Sequence, residues 1–251
     1  IVSEIIINNQ TDNIFTTPVQ ALSEINYGAN TEEMTLSGKN IIFKPNDSNS
    51  YKVFVRDNDA YPPVNHRTSQ HKTIRQLTNA KIGTNNYYRA YLDGSRFKFY
   101  GVDYDLIYIQ ENGYINFSGG DIVSLIGNYK NHFTGTRISA FLNNLENAGE
   151  STDVNAANIY IGKGHYGEFV ITYNNFSAIE TDPNNILLNV NDNYNNFQIR
   201  IWPNNVNTSN YYSDDNYPPG TIQISYGKCE HLTPLIGLSN QQTYDEVSFQ
   251  P

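Results

Sequence analysis

Leu106-Ile107-Tyr108-Ile109-Gln110-Glu111-Asn112-Gly113-Tyr114-Ile115-Asn116-Phe117 decides the fold class. Two short runs of β-branched and aromatic residues flank Asn-Gly, the dipeptide that best supplies the positive φ angles of a type I′ turn, so a β-hairpin is expected here. The same grammar extends in both directions. Leu36 to Pro45 and Tyr51 to Arg56 read as a strand pair joined by the turn-rich Pro45-Asn46-Asp47-Ser48-Asn49-Ser50. Asn158 to Ile161, Glu168 to Tyr173, Phe197 to Trp202 and Thr221 to Tyr226 are further short runs bounded by Gly, Asn, Asp or Pro. In Phe197-Gln198-Ile199-Arg200-Ile201 apolar and polar residues alternate, which predicts one face in the core and one in water. Ile1 to Asn8 also reads as a strand. Helical turns are expected at most in Asp121 to Tyr129 and Ala140 to Asn147.

Many short strands without strand–helix–strand alternation predict an all-β fold, an antiparallel β-sandwich. The 251 residues allow one large sandwich or a sandwich with a small N-terminal β unit. The polar stretch Asp57 to Arg75, with Pro62-Pro63, marks the expected boundary: an N-terminal β unit with its irregular connection over 1–75, and the main sandwich over 76–251.

A net charge of -9 and the absence of Lys/Arg runs argue against nucleic acid and anionic membrane as partners. No apolar run reaches the roughly 18 residues of a transmembrane helix. The chain begins at Ile1, as expected of a processed or excised chain. Its single cysteine, Cys229, leaves no intrachain disulfide.

Seven segments arrive in the order of a known domain. They are Phe97-Lys98-Phe99-Tyr100-Gly101, Glu111-Asn112-Gly113-Tyr114-Ile115, Arg137-Ile138-Ser139-Ala140-Phe141-Leu142-Asn143-Asn144-Leu145, Ile159-Tyr160-Ile161, Phe169-Val170-Ile171-Thr172-Tyr173, Asn195-Asn196-Phe197-Gln198-Ile199 and Ile222-Gln223-Ile224-Ser225-Tyr226-Gly227. Together they resemble the NIDO-type, nidogen-like extracellular β domain over roughly residues 97–240. The resemblance implies an extracellular, non-catalytic interaction module and names no ligand. Ala140, Leu142 and Asn144 depart from the Pro, Trp and Asp of the family pattern, which leaves Arg137 as that segment's ion-pairing candidate.

Catalytic signatures are thin. His66, His71, His132, His165 and His231 are present, but no Gly-x-Ser-x-Gly elbow frames a serine. Cys229 stands two residues from His231, a pairing that a strand would put on one face. No His-Glu-x-x-His or Cys-x-x-Cys suggests zinc. No cofactor is expected; calcium is the one candidate ion, at Asp57 and Asp59. Among 25 Asp and Glu, some glycosidase-like pair always lies close, so the count supports no such chemistry.

The tract from Asn210 to Gly220 offers candidate binding-loop residues in Tyr211, Tyr212, Asp214, Asp215 and Tyr217, because tyrosine supplies rigid, amphipathic contact area. Trp202 is either a core residue or a sugar platform. Acceptor sequons for N-glycosylation stand at Asn9, Asn46, Asn116, Asn175 and Asn207, about the number that chance gives for this composition.

The leading expectation is an extracellular or surface-exposed module for adhesion or recognition of a protein or a glycan, and not an enzyme. The alternative is a structural subunit that polymerises into a fibre, sheath or surface layer with copies of itself. In that reading Ile1, Val2, Ile5, Ile6 and Ile7 form a donated strand. A glycan-active enzyme is a third reading, and a viral coat protein would share the composition.

Overall fold

The computed structural model of the protein describes residues 36–46, 50–57, 73–76, 87–119, 132, 135–143, 145–147, 158–164, 167–178, 180–181, 187–188, 194–204, 217–229 and 235–240. Among the described residues the paired elements are strands, and their pairings are antiparallel. Hairpin β1 (Lys39–Pro45) and β2 (Tyr51–Asp57) is followed by β3 (Thr73–Gln76), β4 (Tyr87–Tyr91), β5 (Phe97–Phe99) and β6 (Val102–Tyr104). Then come β7 (Leu106–Gln110), β8 (Tyr114–Asn116), β9 (Thr136–Leu142), β10 (Leu145–Asn147), β11 (Asn158–Lys163) and β12 (Phe169–Ala178). β13 (Glu180–Thr181), β14 (Leu187–Leu188), β15 (Tyr194–Ile201), β16 (Ile222–Tyr226) and β17 (Leu235–Asn240) complete the described set.

The larger sheet runs β2-β1-β16-β15-β12-β11-β3, with β10 also on β12; the smaller runs β17-β9-β8-β7-β4. The β-branched and aromatic content of these strands suits half-buried pleated surfaces, and the two sheets bury their facing residues in one core. Ile41, Phe43, Ile171, Tyr173, Phe197, Ile199, Ile222 and Ile224 come from the larger sheet; Ile107, Ile109, Ile115, Ile138 and Leu238 come from the smaller. Phe197 stacks on Tyr173 at 4.5 Å and on Phe141 at 5.3 Å, so aromatic contacts bridge the layers. The all-β sandwich expectation is met.

The domain expectation is corrected. β1 pairs with β16, and Ile41, Phe43, Tyr51 and Val53 belong to the same core as the rest. Residues 39–57 are therefore part of the main sheet and not of a separate unit ending at residue 75. A sheet-forming hairpin finds its partner through space, and a polar stretch after it carries no information on where that partner lies.

Turn chemistry also differs. Asn112 does not have positive φ; three residues, Glu111, Asn112 and Gly113, link Gln110 to Tyr114, with Gly113 at φ +80°. This is a three-residue loop with glycine in the left-handed position rather than a two-residue type I′ turn. A Cβ at Gly113 would collide with the Phe141 carbonyl, and Gly113 O accepts from Ala140 N (3.1 Å) and Phe141 N (2.9 Å). The turn thus docks against β9. Two-residue turns with positive φ at both positions occur instead at Tyr100-Gly101 and Asp93-Gly94. Residues 140–142 and 145–147 are strand, correcting the expected helical turns there; Asp121 to Tyr129 and Ile1 to Asn8 lie outside the described residues.

Candidate functional site

β4 ends the smaller sheet: it pairs with β7, and no strand lies on its other side among the described residues. Strand alternation divides Tyr87-Tyr88-Arg89-Ala90-Tyr91 between two faces. Ala90 is buried and Tyr88 packs against the core, while Tyr87, Arg89 and Tyr91 point outward. Tyr91 is 66% exposed and Tyr87 36%. Across the ladder, Tyr108 stands opposite Arg89. Its ring meets Tyr87 edge-on at 5.6 Å, and the Arg89 guanidinium lies over it at 5.8 Å.

That cation–π contact holds the guanidinium over Tyr108, beside the exposed Tyr87 and Tyr91 of the same strand, and among the described residues Arg89 makes no ion pair. An unpaired cation on a chain of net charge -9, set in an aromatic row, can accept a carboxylate in two parallel hydrogen bonds while the rings pack against apolar surface. Sequence reading missed this site. The available signal was the alternation of Tyr87, Arg89 and Tyr91, set beside the turn signal Asp93-Gly94.

The expected binding loop fares differently. Tyr217 is buried and stacks on Trp202 at 4.7 Å with 10° between the rings, so neither is an exposed platform. This corrects Tyr217 as a binding-loop residue: its ring joins Ile42 and Phe54 in a satellite cluster, with Lys44 Nζ 5.1 Å from the ring centroid. Tyr211, Tyr212, Asp214 and Asp215 lie outside the described residues. The flanks of that loop are fixed. Asn204 N donates to Arg96 O at 2.6 Å and Asn204 Nδ2 to Asp103 Oδ1 at 3.0 Å, while Gly220 N donates to Trp202 O at 2.8 Å.

The polar face of β15 is a second correction, because Gln198 and Arg200 are buried rather than in water. They belong to a hydrogen-bonded row: Gln198 Nε2 donates to Thr172 Oγ1 (2.8 Å), Arg200 Nε to Gln198 Oε1 (2.7 Å), and Arg200 Nη1 pairs with Glu168 Oε1 (3.3 Å). Burial of such groups is tolerated only with partners of this kind.

His132 and Ser139, both fully buried, meet at 2.8 Å between Nδ1 and Oγ. With no exposure, the pair offers a substrate no approach. Arg137 is also buried and lies over the Tyr114 ring at 5.2 Å. The Cys229 thiol is pushed up to about 12 by burial, opposed by its contact with the Asn196 carbonyl at 3.6 Å. His231, like His66, His71 and His165, lies outside the described residues.

Asn116 is buried, and its Oδ1 accepts from both Ser118 N and Ser118 Oγ at 2.9 Å, which corrects it as a glycan acceptor in the folded chain. Asn46 is exposed in the β1–β2 turn. Asn175 sits at the bulge of β12 with φ +59°, its N–H bonded to Asn196 Oδ1. Asn9 and Asn207 lie outside the described residues, as do Asp59 and Ile1, Val2, Ile5, Ile6 and Ile7. Asp57 forms an ion pair with Lys39. Among the described residues, no three His, Cys, Asp or Glu side chains converge on a metal position, and no helix is long and apolar enough to cross a membrane.

No family model, curated protein or solved structure matches this chain.

Proposed function

We propose that the protein is a non-catalytic recognition module, acting outside or on the surface of a cell, that binds a protein or a glycan through the outward face of β4 and β7. The observation that carries this reading is the Arg89 guanidinium, without an ion pair among the described residues, held over Tyr108 on the strand face that exposes Tyr87 and Tyr91. Tyrosine and arginine dominate binding hot spots because they give large contact area at low entropic cost together with directional hydrogen bonds. A cation set in this aromatic row makes an acidic group the natural anchor of the ligand. The extracellular setting rests on the sequence reading of residues 97–240 as resembling a NIDO-type domain.

The test is a screen of acidic and neutral glycans and of extended peptides against the full chain, repeated with Arg89→Ala and Tyr91→Ala. Ligands captured by the wild type are expected to lose at least about tenfold in affinity with either variant. Unchanged binding in both variants would remove this face from the function, and ligand turnover would overturn the non-catalytic reading.

A further inference from the structure

The open face also specifies a pattern in its partner. A strand added beside β4 completes the ladder with main-chain hydrogen bonds, and its side chains at i, i+2 and i+4 lie next to Tyr87, Arg89 and Tyr91. The matching segment is apolar–x–acid–x–apolar. Among the 25 Asp and Glu, three stand between apolar residues at both i−2 and i+2: Glu4 (Val2, Ile6), Glu168 (Tyr166, Val170) and Asp192 (Val190, Tyr194). The Glu168 carboxylate is taken by Arg200 inside the larger sheet, and Tyr194 opens β15. Val2-Ser3-Glu4-Ile5-Ile6 is the one that neither use accounts for.

Resting on the reading of β4 as the binding face, we infer that β4 accepts residues 2–6 of a second copy of this chain as an added antiparallel strand. Glu4 stands opposite Arg89, Val2 opposite Tyr91 and Ile6 opposite Tyr87. On the other face, Ser3 falls beside the small Ala90, and Ile5 beside Tyr88, where it extends the apolar core past the present edge. Both faces of the segment are thereby satisfied: its acid meets the unpaired guanidinium and its Ile5 meets apolar surface. Antiparallel addition continues the pattern of every pairing in this sheet. We assign the donor to another molecule: among the described residues β4 has no strand on its outer side, and Tyr91 is 66% exposed. With β4 as acceptor edge and residues 2–6 as donor segment in each copy, repeated head-to-tail addition builds closed rings or open filaments.

Sedimentation equilibrium of the full chain, with Arg89→Glu, Glu4→Arg and the double variant, tests this directly. The wild type is expected to self-associate, each single reversal to weaken association at least about tenfold, and the double variant to recover most of the loss, since the charges then face each other with signs exchanged. Near-ultraviolet circular dichroism checks that the variants fold, and a labelled peptide of residues 1–8 titrated into the full chain gives an independent readout. A wild type that remains monomeric, or a double variant no better than the singles, overturns the inference. Ligand capture by the wild type that is lost in Tyr91→Ala would then leave β4 as a face for foreign partners alone.

Discussion

The Tyr173 hydroxyl donates to the Gln110 carbonyl oxygen at 2.7 Å, joining β12 of the larger sheet to the end of β7 in the smaller. Tyr226 repeats the arrangement from β16, donating to Ala140 O in β9 at 2.6 Å. Each is a polar pin through an otherwise apolar layer. Tyr173→Phe and Tyr226→Phe are each expected to cost about 1–3 kcal/mol, because the buried carbonyl loses its partner. Urea unfolding followed by circular dichroism measures the loss.

Alkaline pH should destabilise the chain. Burial raises the hydroxyls of Tyr51, Tyr100, Tyr173 and Tyr226 above the ordinary value of 10.0. A raised folded-state value means that the native form holds the proton more tightly than the unfolded one. The contribution is complete below pH 10 and is lost as pH climbs towards the folded-state values. Ultraviolet difference titration is expected to show these buried tyrosines ionising only as the chain unfolds.

Cys229 should resist alkylation in the folded protein. With the thiol at about 12 against an ordinary 9.0, its thiolate fraction near neutral pH falls on the order of a thousandfold. Labelling by iodoacetamide with and without denaturant measures the ratio; equal rates would contradict the burial of this residue.

Gly113→Ala should be costly. Its φ of +80° adds strain of about 1–3 kcal/mol for a residue with a Cβ, and that Cβ meets the Phe141 carbonyl, which is backbone and cannot move aside cheaply. By contrast, nothing lies near a Cβ at Gly94, so Gly94→Ala carries the strain of its φ of +78° without the collision. Thermal unfolding of the two variants side by side separates strain from collision.

Breaking the Glu168–Arg200 pair on one side should be worse than removing both partners. Arg200→Met leaves a buried carboxylate without this partner, at a cost of about 3–5 kcal/mol, whereas the Glu168→Gln/Arg200→Met double variant removes the stranded charge and recovers part of it. A double-mutant cycle in urea gives the coupling.

Period-two alternation and turn residues made the strands from Leu106 to Phe117 and from Phe197 to Ile201 legible, because each depends on its own neighbours. The function of Gly113 was half legible: glycine announced a turn, but the turn type follows from the three-residue loop and its docking on β9. The candidate site was harder to see. Tyr87, Arg89 and Tyr91 look like any strand until β4 is placed at an edge, and Tyr217 looks like a loop residue until Trp202 is found beneath it.

The sequence by itself determined that this chain is all-β, since side-chain periodicity, β-branched content and turn chemistry act over a few residues. Only the tertiary structure decided which strand is an edge, which polar side chains are buried and which tyrosines face outward. Those properties depend on which strands become neighbours: β1, for example, lies between β2, next to it in sequence, and β16, almost two hundred residues away. Such pairings are set by long-range packing, and no local pattern encodes them.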